Sequence, residues 1–265
     1  MIEFPEFDPI AIHIGSRGLT WYGLTYLAGF VAAWFLARRR AGTGRAPLKV
    51  EQVDDLIFYC AMGVLLGGRI GYMLFYAPGA VLDNPLSIFK VWEGGMSFHG
   101  GLIGVLAAIG LYARMLILPY GVLGDFVTPL VPLGLCFGRI GNFINGELWG
   151  KVTDVPWAVI YRGVPRHPSQ LYESALEGLA LFAILWTYSA RPRPTMAISG
   201  LFLVGYGLFR TAIEFVRVPD NGEYFAYGWI TKGQVLSVPM VIAGIWMIIW
   251  AYRRGVVFKP GEQQA

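Results

Sequence analysis

The sequence holds few charged side chains inside its apolar runs, and those few set the chemistry it could do. Arg69, Arg139 and Arg210 each lie late in such a run, and Glu214 follows Arg210 at helical spacing. His99 opens another run, His167 immediately precedes a further one, and Tyr22 and Tyr26 stand in the first turns of the first. A charge inside a membrane helix is costly enough that function is its default explanation. Arginine offers a planar fork that gives two parallel hydrogen bonds to phosphate oxygens and stays charged at any physiological pH. His99 lies between two glycine pairs, Gly94-Gly95 and Gly100-Gly101, which permit close approach of a substrate. With an ordinary pKa of about 6.5 it could accept a proton there. Each residue also has a plainer reading. Arginines near helix ends snorkel to the interface, tyrosines form an aromatic belt, and a lone histidine can be structural.

The densest polar segment is Gly138-Arg139-Ile140-Gly141-Asn142-Phe143-Ile144-Asn145-Gly146-Glu147-Leu148-Trp149-Gly150. Its four glycines, two asparagines, one base and one acid follow an apolar run with no amphipathic pattern. Glycine frees the backbone, and the amides can hold that backbone or bind hydroxyls. A helix-to-loop cap would need one glycine and one asparagine, so the fuller set points to a site.

Helices must position these groups. The chain has 265 residues, of which 55% are hydrophobic and 14% charged, with a mean hydropathy of +0.53. Soluble domains carry about 25% charge, so a soluble globule of this composition would expose a largely apolar surface. An aromatic content of 15% argues against disorder, and continuous rather than alternating apolar runs argue against a β-barrel. The expected fold is an all-α polytopic membrane protein, a single domain over residues 1–265. Seven runs approach the roughly 20 residues a span needs. They centre on Leu19–Ala37, Asp55–Tyr76, Phe98–Leu118, Leu123–Ile140, Leu171–Ser189, Ser199–Val216 and Val235–Tyr252. Pro129 and Pro132 interrupt the fourth, which membrane helices tolerate where neighbours re-satisfy the backbone.

Basic residues follow the first run (Arg38, Arg39, Arg40, Arg45 and Lys49), the fifth (Arg191 and Arg193) and the seventh (Arg253, Arg254 and Lys259). Seven crossings put all of them on one side, which is expected to be the cytoplasm. The N-terminus is then periplasmic, the C-terminus cytoplasmic, and the longer connections near 77–97, 141–170 and 217–234 face outward. The net charge of +4 is thus assigned to loops beside an anionic bilayer, and no nucleic acid is expected. Cys60 and Cys136 lack metal or redox spacing, so neither a disulfide nor a metal site is expected. The first ten residues have no basic leader, so no cleaved signal peptide is expected either. Gly67 with Gly71, and Gly100 with Gly104, have the spacing of close helix contacts.

In this orientation Arg69, Arg139, Arg210, Glu214, His99, His167, Tyr22 and Tyr26 fall at one outer depth. Together they suit an outward-facing polar cavity for an anion, and the abundant anion in that leaflet is a lipid phosphate. Two other classes remain open. A phospholipid or anionic-solute transporter would place polar groups at mid-membrane or on both sides, usually with repeat symmetry, which the chain lacks. A non-catalytic binding or assembly protein would use the same side chains as anchors only.

The sequence resembles the bacterial prolipoprotein diacylglyceryl transferases. The resemblance rests on Gly138–Gly150, Trp21-Tyr22-Gly23-Leu24, Gly67–Tyr72 (GGRIGY), Gly94–Gly101, Arg166–Glu173 (RHPSQLYE), Gly205–Arg210 and Glu214-Phe215, blocks that run nearly the whole chain in family order. It implies transfer of the diacylglyceryl group of phosphatidylglycerol to the lipobox cysteine of a preprolipoprotein, with a thioether formed and glycerol phosphate released. It also implies seven spans and an active site at the outer face of the inner membrane, with no cofactor. By resemblance, Arg139 and Arg210 are essential and hold the phosphate and its leaving group, and His99 is the general base. Tyr22, Asn142, Asn145, Glu147, Gly150, Tyr206 and Glu214 bind substrate or shape the site, with Arg217 beside Glu214.

Overall fold

The computed structural model describes residues 1–14, 17–44, 46–219 and 224–259. Arg45, and part of the connection expected near 217–234, lie outside the described residues. In chain order the elements begin with β1 (Ile2–Glu3), β2 (Ile10–Ile14), β3 (Arg17–Thr20), α1 (Trp21–Ala41), α2 (Val50–Phe75), α3 (Pro78–Asp83), α4 (Phe98–Met115), α5 (Tyr120–Val127) and α6 (Val131–Ile144). They continue with β4 (Val159–Tyr161), β5 (Val164–Arg166), α7 (Ser169–Glu173), α8 (Leu181–Tyr188), α9 (Ala197–Glu214) and α10 (Lys232–Arg254). A short 3₁₀ turn, Thr128–Leu130, joins α5 to α6 at the expected prolines, and a π-helical stretch, Ser174–Ala180, joins α7 to α8.

Each of the seven apolar runs is mostly helical, although Leu19 and Thr20 belong to β3 and the third run outlasts α4 by three residues. Four stretches among the described residues are long and apolar enough to cross a membrane: Val50–Phe75, Phe98–Met115, Tyr120–Ile144 and Lys232–Arg254. The apolar stretch Ala197–Ile213 is shorter. The first run ends in three arginines, and the fifth carries two glutamates, which dilutes the apolar character of both.

The chain divides into two compact units. One comprises Ala37–Phe126 with Lys259, and in it α2 packs along α4. Glycines make that approach possible. A Cβ on Gly71 would lie 2.8 Å from the Gly100 Cα, and one on Gly67 would lie 2.9 Å from the Gly104 Cα. Small residues at these positions let helix backbones touch, which is what drives association where lipid is as apolar as leucine. Arg69, on α2, is buried and serves the same unit. Its Nη2 donates to the Ser87 carbonyl at 2.7 Å and its Nε to that of Ile88 at 3.2 Å, while Nη1 donates to Gly94. The expectation that Arg69 joins an anion cavity is therefore corrected: its donors are spent on backbone carbonyls of the loop between α2 and α4.

The other unit comprises Met1–Leu36 and Val127–Phe258. Its α9 packs on α10, where a Cβ on Gly207 would lie 3.1 Å from the Ser237 carbonyl oxygen. Leu181, Leu185 and Ile198 form an apolar core beneath Tyr206 and Phe209. The helical expectation omitted two small sheets in this unit. One is the β2–β3 hairpin. The other has the order β1-β4-β5, in which β1 lies parallel to β4 and β4 antiparallel to β5. Arg162 and Gly163 make the β4–β5 turn with φ of 51° and 77°, the two positive values of a type I′ hairpin. Strands this short leave no periodic signal beside spans of twenty residues.

Candidate active site

Helix α6 delivers Arg139, α9 delivers Arg210, and the residues just past α9 deliver Arg217. Three glutamates meet them. Glu173 ends α7, Glu177 lies on the π stretch four residues on and so on the same face, and Glu214 ends α9. Glu173 is the hub. Its Oε2 pairs with Arg139 Nε at 2.8 Å, and its Oε1 accepts from Arg210 Nη1 at 2.6 Å and lies 3.5 Å from Arg217 Nε. Glu214 Oε1 takes Arg210 Nη2 at 2.6 Å and Arg217 Nη1 at 3.1 Å. Gly233 leaves room for that carboxylate, since a Cβ there would sit 2.6 Å from its Cδ. Glu177 stands 3.7 Å from Arg210 Nη1 and 4.0 Å from Arg139 Nη2.

All three glutamates are buried. A buried charge is tolerated only when paired and hydrogen-bonded, so the three guanidiniums and the carboxylates need one another. The arginines differ in access, with side chains 20% exposed for Arg139, 12% for Arg210 and 7% for Arg217. Arg210 has both terminal nitrogens on carboxylates. Arg139 anchors through Nε, and its nearest other partner is Asn142 Oδ1 at 3.5 Å. Arg139 is thus the guanidinium with donors to spare for an incoming anion.

The Gly138–Gly150 segment extends from this cluster. Asn142 Nδ2 donates to Glu147 Oε2 at 3.2 Å, and Asn145 Nδ2 to Glu147 Oε1 at 3.3 Å, which links Arg139 through Asn142 to an exposed carboxylate. The turn is held from α7. Ser169 Oγ donates to the Leu148 carbonyl at 2.8 Å and Gln170 Nε2 to that of Glu147. Gly150 is wedged between chains: its N–H donates to the His167 carbonyl at 2.9 Å, and a Cβ would lie 2.7 Å from the carbonyl oxygens of both His167 and Val216. The sequence expectation made Gly150 a substrate-binding position, and its geometry gives it a packing duty as well. Trp149 is buried against Phe4, Phe143 and Tyr161, so the residue just past β1 braces the same turn.

Tyr22 and Tyr26 share a hydroxyl contact at 3.1 Å on α1, and Tyr22 lies over Gly141, where a Cβ would sit 3.1 Å from its ring. Tyr206 is one turn before Arg210 on α9 and half-buried. His167 lies outside the long helices. Burial holds its imidazole below the usual value, and Nδ1 meets the Tyr172 hydroxyl at 3.2 Å. His99 belongs to the other unit, exposed in the first turn of α4 with its ring edge-on to Phe98.

The structure therefore brings together Arg139, Arg210, Glu214, Asn142, Asn145 and Glu147 from the expected set. It adds Glu173, Glu177 and Gln170, which sequence reasoning did not single out as site residues. The signal was present, because acidic residues four apart within an apolar run carry the same functional presumption as the arginines. Among the described residues no group of three or more His, Cys, Asp or Glu could hold a metal ion.

Comparison with known proteins gives the family. The family model for prolipoprotein diacylglyceryl transferase matches residues 9–250. A phosphatidylglycerol–prolipoprotein diacylglyceryl transferase of Pseudomonas putida strain F1 is 54% identical over 267 residues, covering 98% of this chain and 100% of the relative. The enzyme of the same name from Azotobacter vinelandii is 55% identical over 259 residues, covering 96% and 98%. That from Pseudomonas aeruginosa PAO1 is 54% identical over 258 residues, covering 96% and 97%. The matched span contains every member of the arginine–glutamate cluster, and on these grounds the chain belongs to the prolipoprotein diacylglyceryl transferase family.

Proposed function

We propose that this protein transfers the diacylglyceryl group of phosphatidylglycerol to the lipobox cysteine of preprolipoproteins, forming a thioether and releasing glycerol phosphate. The observation that carries the reading is the cluster of Arg139, Arg210 and Arg217 on buried Glu173, Glu177 and Glu214, in which the terminal nitrogens of Arg139 make only long contacts, at 3.5 and 4.0 Å.

The chemistry asks for two things. A free thiol of pKa about 8.5 is only a few per cent thiolate at neutral pH, so a base or a positive field must raise that fraction. His99 is the proposed base, and its exposure suits proton exchange. The thiolate then attacks the glyceride carbon bearing the phosphate, the carbon–oxygen bond breaks, and its electron pair stays with the phosphate oxygen. Guanidinium groups already fixed by carboxylates can meet that growing charge without reorganising, which is usually the largest catalytic contribution. Arg139 holds the phosphate directly. Arg210 supplies field and rigidity. Asn142, Asn145 and Glu147 orient the headgroup, with Tyr22, Tyr206, Gly150 and Glu214 shaping the walls.

The protein is a membrane enzyme of bacteria, and the finer placement belongs to the same proposal. The whole chain acts as one integral domain with seven spans in the inner membrane, the N-terminus and the site on the periplasmic side. The basic clusters after the first, fifth and seventh helical runs support that orientation. Purified protein incubated with phosphatidylglycerol and a lipobox peptide tests the function. A thioether-linked peptide with equimolar glycerol phosphate is expected. Lipid movement without product would instead favour a transporter, and binding without either would favour an anchor.

A further inference from the structure

Among the described residues, Glu177 is the carboxylate of the cluster with both oxygens unsatisfied. Its carboxyl is fully buried, and among the described residues neither oxygen has a hydrogen-bond partner. Its guanidinium neighbours stay at 3.7 and 4.0 Å, whereas Glu173 and Glu214 each meet Arg210 at 2.6 Å. The backbone fixes that distance. The carboxyl stands on the π-helical stretch, where Ser174 Oγ donates to the Cys136 carbonyl at 3.1 Å. Gly178 is pressed so hard on α6 that a Cβ would lie 2.8 Å from the Cys136 Cα. The π turns inside helices are frequent at functional sites.

The groups facing Glu177 are Arg139 from α6, Glu173 from the end of α7, Tyr206 and Arg210 from α9, and Arg217 beyond it. The three arginines carry three positive charges, and Glu173 and Glu214 two negative ones. With Glu177 ionised the cluster is neutral and offers an anion little. With Glu177 protonated it keeps one positive charge, the match for a phosphodiester, which carries one negative charge.

Resting on the lipid-phosphate reading above, we infer that Glu177 is a protonation gate for the lipid: the cluster takes up the phosphodiester with Glu177 neutral and lets it go with Glu177 ionised. It acts through the guanidiniums and is a positioning residue.

The test is equilibrium binding without peptide, so that thiol ionisation does not enter. Full-length protein in detergent is titrated with brominated phosphatidylglycerol, read by quenching of tryptophan fluorescence, across a series of pH values. Wild-type affinity should fall by up to about tenfold per pH unit once the gate ionises. Glu177→Gln should bind within about threefold of wild type at the acid end of the series and keep that affinity at alkaline pH. Parallel profiles for the two proteins would overturn the inference. Should Glu177→Gln not fold, infrared spectra of the wild type decide. A protonated-carboxyl band that shifts on lipid addition supports the gate, and absence of such a band overturns it. Failure of the wild type to form thioether would strike the proposed function instead, and leaves this binding comparison standing as a separate result.

Discussion

Arg139 and Arg210 are both arginines in apolar helices, yet they do different work, and their substitutions should separate. Arg139 spends Nε on Glu173 and makes only long contacts through its terminal nitrogens, at 3.5 Å to Asn142 and 4.0 Å to Glu177, while Arg210 has both terminal nitrogens on Glu173 and Glu214 at 2.6 Å. Arg139→Lys loses the fork but keeps the charge, so transfer should fall by about 10²-fold, the scale of one lost transition-state donor, in a protein that still folds. Comparing kcat with thermal unfolding checks this, and wild-type turnover would remove the bidentate role. Glu173→Gln should act on stability first. It strips a buried counter-charge from three guanidiniums, and breaking such pairs costs about 3–5 kcal/mol, readable in the unfolding midpoint. His99→Gln should lower the rate while leaving phosphatidylglycerol binding intact, and an unchanged rate would end its role as base. At this scale the sequence was a good guide to Arg139, Arg210 and Glu214, because charge in an apolar run is conspicuous. It misled for Arg69, since helical depth does not say whether a guanidinium faces a cavity or a set of carbonyls. Glu173 entered only as the end of the Arg166–Glu173 block and Glu177 not at all, because hydrophobic neighbours label the run they sit in, and pairing across helices is invisible in one dimension.

The elements matter here chiefly for how they fix backbones. The turn after α6 holds Gly146 at φ 68° and Leu148 at φ 57°, a conformation leucine adopts only when its surroundings impose it. Ser169 and Gln170 at the start of α7 impose it through the carbonyls of Glu147 and Leu148. Gly150 then passes between the His167 and Val216 carbonyls with no space for a side chain. Gly150→Ala should displace this turn, and with it Glu147, so activity should fall at least tenfold, while helix content by circular dichroism stays unchanged. In the other unit, Gly67→Leu should wedge α2 from α4 and lower the thermal unfolding temperature, because the two backbones meet there with no gap for a branched side chain. The long helices could be read from apolar run length. The π stretch and the short strands could not, since each is set by tertiary contacts: Ser174 and Gly178 on Cys136, and β1 beside β4.

Over the whole molecule, scarcity of charge and its placement carry the functional argument. Basic residues end α1 and α10 and follow α8, whereas the arginine–glutamate cluster sits at the far ends of α6 and α9 in the proposed orientation. Cysteines placed at residue 3 and at residue 259 should therefore react from opposite sides of the membrane, the first with an impermeant maleimide added outside. Labelling of both from one side would refute the seven-span topology. The central claim is that this cluster drives departure of phosphate from the glyceride carbon, with sulfur taking its place. Phosphatidylglycerol carrying ¹⁸O in the bond between that carbon and phosphorus tests it directly, when wild-type protein and a lipobox peptide are mixed and the products weighed by mass spectrometry. All of the label should appear in glycerol phosphate, and none in the lipidated peptide. Label retained on a diacylglycerol product, or glycerol phosphate free of label, would mean that the phosphorus–oxygen bond breaks instead and would contradict the account.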